Sequence, residues 1–146
     1  MRYALIFLSL ATLVAAPLAA QQGGFVNYES SQIHAIRLSP DGSRLFVLNT
    51  ADARLEVYSL ANPDAPILLK RIPCGLEPVS IGVRTNDEVW VVSNLSDAIN
   101  IVSVNAGAVT ATIRVKDEPY DVVFAGSPPK AFVTAATNDE VHVFDV

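Results

Sequence analysis

The chain has 146 residues, 51% of them hydrophobic, with a formal charge of −5 at pH 7 and one cysteine. An acidic balance without a basic run argues against nucleic acid or an anionic membrane as the main partner. A lone cysteine excludes a disulfide-stapled exported domain, and without Cys-x-x-Cys-His these residues attach no c-type haem.

Arg2, an apolar stretch over 4–16 and the run Pro17-Leu18-Ala19-Ala20 make the pattern of a secretory signal peptide over 1–20. The expectation is an exported protein, periplasmic or at the cell surface, with no membrane span after cleavage. Gln21 stands where a lipid anchor would need cysteine. Residues 21–28 read as a linker, with Phe25-Val26-Asn27-Tyr28 as a candidate ring-closing strand.

From residue 33 onward, short alternating apolar runs predict strands separated by turn-forming residues. The first runs over 33–38 and meets Ser39-Pro40-Asp41-Gly42, in which proline presets the bend, aspartate accepts backbone N–H bonds and glycine takes positive φ. Strands over 44–48, 54–58 and 67–73 follow. A second set is expected at 79–83, 89–92, 99–102 and 109–115, the last β-branched at five of seven positions. A third occupies 120–124, 131–134 and 141–144.

These sets repeat. Leu38, Phe46, Leu55 and Tyr58 are answered 86 positions on by Phe124, Phe132, Val141 and Phe144, with Val83, Trp90, Ile99 and Val102 between them. Units of roughly 43 residues built from short strands are the signature of β-propeller blades. The predicted fold is all-β: a partial propeller of about three four-stranded antiparallel blades over 29–74, 75–116 and 117–146, the third incomplete. Because each blade packs against the next, the chain is expected to need further blades of a longer protein.

The stretch Leu38-Ser39-Pro40-Asp41-Gly42-Ser43-Arg44-Leu45-Phe46-Val47-Leu48-Asn49 resembles the YVTN-type β-propeller repeat, and 107–115 resembles that repeat's last strand. The resemblance covers about 29–146. SPDG occurs once, and Asn49 of the hallmark is replaced by Ser93 and Ala135 in the later copies. The resemblance implies a seven-bladed propeller in an exported protein. It also implies alternatives to a plain binding module: the propeller portion of a periplasmic oxidoreductase with a haem-binding domain downstream, or a lactonase-like hydrolase.

Candidate site residues lie where connections meet one face of the propeller. Cys74-Gly75-Leu76-Glu77-Pro78 and Lys116-Asp117-Glu118-Pro119 share Glu-Pro before a first strand, and the residue before proline is held extended. The loops 49–53, 94–98 and 136–139 carry Asp52, Asp97 and Asp139. Glu77, Asp117, Glu118 and these three could supply hard oxygen ligands to Ca²⁺, or could serve their own turns as acceptors. His34, on an innermost strand, is a candidate for the central channel, whereas His142 is expected to face solvent. Trp90 and Phe132 are expected in the core between blades, and Cys74 as a small buried hydrophobe. No nucleophile or phosphate-loop motif is present. The function expected is binding or scaffolding of a protein or small ligand through the blade-top loops.

Overall fold

A computed structural model of the chain describes residues 31–116, 118–137 and 139–146. The expected signal peptide, the segment 21–28 and Asp117 lie outside the described residues. Three antiparallel sheets account for the strands. The first is β1 (Ile36–Leu38), β2 (Arg44–Asn49), β3 (Arg54–Ser59) and β4 (Ile67–Pro73). The second is β5 (Pro78–Val83), β6 (Glu88–Ser93), β7 (Ala98–Ser103) and β8 (Ala108–Arg114). The third is β9 (Pro119–Ala125), β10 (Lys130–Ala135) and β11 (Glu140–Asp145). In each sheet the strands lie side by side in chain order, and the first strands of successive sheets touch. This is a partial β-propeller.

Packing explains the sequence pattern of each sheet. The middle sheet has a neighbour on both faces, so Val89, Trp90, Val91 and Val92 run on without a polar break and all are buried. A strand covered on both sides is uniformly apolar for this reason. In β2 of the first sheet Phe46 and Leu48 are buried, while Leu45 and Val47 are only partly covered.

Two cores fill the gaps between sheets. Phe46, Leu48, Leu55, Val57 and Ile72 pack against Ile81, Val89, Val91, Val102 and Val104. Val79, Trp90, Val92, Ile99 and Val115 pack against Val122, Ala131 and Val133. Trp90 also meets Phe124 edge-to-face, with centroids 5.2 Å apart. Gly82 permits the close approach of β9, since a Cβ there would stand 2.7 Å from Val122 Cγ1.

The turn at Ser39-Pro40-Asp41-Gly42 closes as its residues dictate. Gly42 has φ of 69° and donates its N–H to the Ser39 carbonyl at 2.9 Å. Asp41 Oδ1 accepts from the Ser39 hydroxyl at 2.6 Å, the Ser43 N–H at 2.9 Å and the Ser43 hydroxyl at 2.8 Å. Those donors hold the Asp41 carboxyl at about 2, below its ordinary 3.8.

Two expectations are corrected. The strand expected over 33–38 shortens to Ile36–Leu38, because the preceding residues cross to the next sheet: His34 bridges Ser80 in parallel, and Ile81 N–H donates to its carbonyl at 3.1 Å. Phe132 lies partly buried on the outer face of the third sheet, lining an apolar hollow with Val123 and Val141. His142 does not face solvent: its side chain is 22% exposed, its Nε2 is buried, and its ring stacks on Phe144.

Candidate functional site

Sheets of this topology put alternate connections at one end. The loops 50–53, 94–97 and 136–139 therefore share that end with the connections 74–77 and 115–118. The three loops close alike. Ala53, Asp97 and Asp139 each donate the backbone N–H to the carbonyl three residues back, Thr50, Asn94 and Ala136, at 3.2, 3.2 and 3.3 Å. Each is also left-handed, with φ of 52°, 49° and 51°. Glu77 and Glu118, before their prolines, are left-handed too, at 48° and 51°. The expectation that the residue before proline is extended thus fails here: the sharp return of the chain from outermost to innermost strand requires the left-handed turn.

The loops are also tied from sheet to sheet. Thr50 Oγ1 donates to the Pro78 carbonyl at 2.9 Å, and Asn94 Nδ2 donates to the Pro119 carbonyl at 3.1 Å. These are the same bond in successive repeats, from the first residue of a loop to the proline that starts the next sheet.

Asp52, Asp97 and Glu118 use their carboxylates within these loops, and Glu77 its backbone carbonyl. Asp52 Oδ2 accepts from Asn49 Nδ2 at 3.2 Å, while Asp97 Oδ1 accepts the Glu118 N–H at 3.0 Å. Glu118 Oε2 accepts from the Thr137 hydroxyl at 3.0 Å, and the Glu77 carbonyl accepts the Asn94 N–H at 2.9 Å. Asp139 is exposed, and by register its counterpart in the first repeat is Ala53, not Asp52. Among the described residues no three His, Cys, Asp or Glu side chains come together to hold a metal ion. Asp97 and Glu118 accept from neighbouring loops, and Asp52 accepts within its own.

His34 leads instead to a cluster that joins all three sheets. Its Nδ1 lies 3.0 Å from Asp121 Oδ1, and the same oxygen accepts from the Ser80 hydroxyl at 2.6 Å and the Val122 N–H at 2.9 Å. His34 precedes β1, Ser80 is on β5 and Asp121 on β9. Burial pushes the Asp121 pKa up, but the Ser80 hydroxyl, His34 and the Val122 N–H outweigh it and hold the carboxyl below its ordinary value. Ser80 is fully buried and donates to the carboxylate, not to the imidazole, so the trio is a clamp and not a nucleophile relay. Asp121 and Ser80 escaped sequence reading. Their signal was a polar residue two places after the proline of each inner strand, Pro78-Val79-Ser80 and Pro119-Tyr120-Asp121.

Cys74 is half-buried, packed against the core between the first two sheets. Burial pushes its thiol up to about 11, where little thiolate exists to react. No helix among the described residues is long and apolar enough to cross a membrane.

No family model and no curated protein matches the chain. Solved structures do. Kuenenia stuttgartiensis hydrazine synthase aligns over 86% of this chain and 36% of its own, with a TM-score of 0.69 and 22% identity. A functionally unknown protein from Desulfotomaculum acetoxidans DSM 771 aligns over 82% of this chain and 38% of its own, with a TM-score of 0.63 and 14% identity. The chain thus spans little more than a third of the length of either. At these identities the likeness shows a propeller-like β fold and nothing of the chemistry.

Proposed function

We propose that the chain is an exported β-propeller repeat module of the YVTN type, in a ring of seven blades, that binds or scaffolds a partner through its blade-top loops. The observation that carries this reading is the repeated closure of those loops, each on itself and the first two also on the next sheet. A surface whose backbone is fixed in this way offers side chains at little ordering cost, which favours recognition. Asp52, Asp139 and Glu118 are exposed on it. The likeness to hydrazine synthase carries the fold alone and adds nothing to the oxidoreductase reading.

A photo-cross-linking residue placed at Asp52, Asp97 or Asp139 in the protein in its native cells tests this. Controls sit at the opposite end of the sheets, at Asp64 and Asn86. Discrete adducts from the first group alone are expected; equal adducts from both ends, or none from the loops, would overturn the reading. Export is tested separately, by fractionating cells that express the protein with and without residues 1–20.

A further inference from the structure

Between the first two sheets the loop end opens into a cleft of about 540 Å³. Its polar wall is Asn100, Thr112 and Arg114, and its apolar side includes Pro73 and Leu95. Asn100 interrupts an apolar strand, Ile99-Asn100-Ile101, and is only 7% exposed. Its amide orientation is fixed, because Oδ1 accepts from the Gly75 N–H and from the Ser93 hydroxyl, both at 2.8 Å. Nδ2 donates one hydrogen to Thr112 Oγ1 at 3.2 Å. The second hydrogen has no partner among the described residues. Thr112, accepting from Asn100, keeps its own proton to donate. Arg114 Nη1 donates to the Ser96 carbonyl at 2.9 Å, and its Nε and Nη2 have no partner among the described residues.

We propose that this cleft binds a carboxylate with an N–H donor beside it, carried by a free amino acid derivative or by a peptide. The guanidinium and the amide and hydroxyl donors suit a carboxylate, which accepts forked, charge-assisted bonds. Asp97 lines the same cleft and disfavours a ligand that is anionic throughout. An adjacent N–H donor answers that carboxylate. Leu95, 62% exposed, offers apolar contact to the flank of such a ligand. The cleft shares the loop surface described above and so rests on that reading. It would name the class of ligand that part of the surface takes.

The test is NMR titration of the full-length protein with N-acetylglutamate, with the tripeptide Ala-Leu-Glu, and with the amidated form of each. Saturable shifts at Gly75, at the Asn100 side-chain amide and at Arg114 are expected, with at least about tenfold weaker binding of the amidated probes. Response to both acids points to a free ligand, and response to the tripeptide alone to a peptide; either supports the site. Arg114→Gln should weaken binding about tenfold and Thr112→Val less, whereas Arg84→Gln, at the opposite end, should change nothing. Equal binding of amidated and acid probes overturns the proposal on the unaltered protein, whether or not any variant folds. Absence of shifts at these residues with both acids does so too. Loop cross-links that persist beside a silent Arg114 would remove only this site and leave the wider reading standing.

Discussion

At the scale of single residues, backbone geometry sets the clearest expectations. A Cβ at Gly75 would stand 2.7 Å from Ser93 Cβ and 3.0 Å from Asn100 Oδ1, both buried. Gly75→Ala should therefore cost about 1–3 kcal/mol in chemical denaturation, the usual penalty for forcing volume into a packed site. Ala53 is the opposite case. It holds φ of 52° without a side chain that could compensate, so Ala53→Gly should raise stability by about 1 kcal/mol. A loss on that substitution would mean that the loop is not left-handed there.

Protonation acts at the same scale. Asp41 is depressed to about 2 in the folded chain, so its contribution is present above its ordinary 3.8 and lost as pH falls from there toward about 2. Asp121 has the same sign, being lowered by the Ser80 hydroxyl, His34 and the Val122 N–H against the opposing push of burial. Acid unfolding of Asp41→Asn should accordingly be less steep over that window than that of the unaltered chain, and that of Asp121→Asn less steep as pH falls below 3.8. An unchanged slope in both would show that these hydrogen bonds do not persist in solution.

At the scale of elements, the informative unit is the junction between sheets. Thr50 and Asn94 make the same bond to successive prolines, and Ala136 stands at the corresponding place in the third repeat without a side-chain donor. Asn94 is buried, so Asn94→Ala leaves the Pro119 carbonyl without this donor and should cost about 1–3 kcal/mol. Faster amide exchange in β9 than in β6 would locate the damage at that junction. Phe46, fully buried between the first two sheets, should cost about 3–5 kcal/mol on replacement by alanine. The strand pattern itself was legible because alternation is a local property. Sequence and structure agree on β4 as Ile67–Pro73 residue for residue. Residues 33 and 34 misled, since their partners lie on the neighbouring sheet and no local signal marks that exchange.

At the scale of the whole molecule, the two outer faces differ from the inner ones. Ile36 and Leu38 on the first sheet and Val123, Val141 and Val143 on the third are each more than half exposed. Ile36→Ser and Val141→Ser in the 146-residue chain should change stability by less than about 0.5 kcal/mol while raising the concentration at which it stays monomeric in sedimentation. A large loss from either would mean that these faces are already covered.

Periodicity determined that this is a stack of small antiparallel sheets, and turn chemistry determined where each sheet begins, because both act between residues close along the chain. Of the candidate site, that local information supplied the loops and their acidic residues but not what those residues touch. Only the tertiary structure decided which donors Asp52, Asp97 and Glu118 accept from, that His34, Ser80 and Asp121 meet across three sheets, and that Asn100, Thr112 and Arg114 share a cleft. His34 and Asp121 are 87 positions apart, and such meetings depend on how sheets pack, which alternation along a strand does not encode.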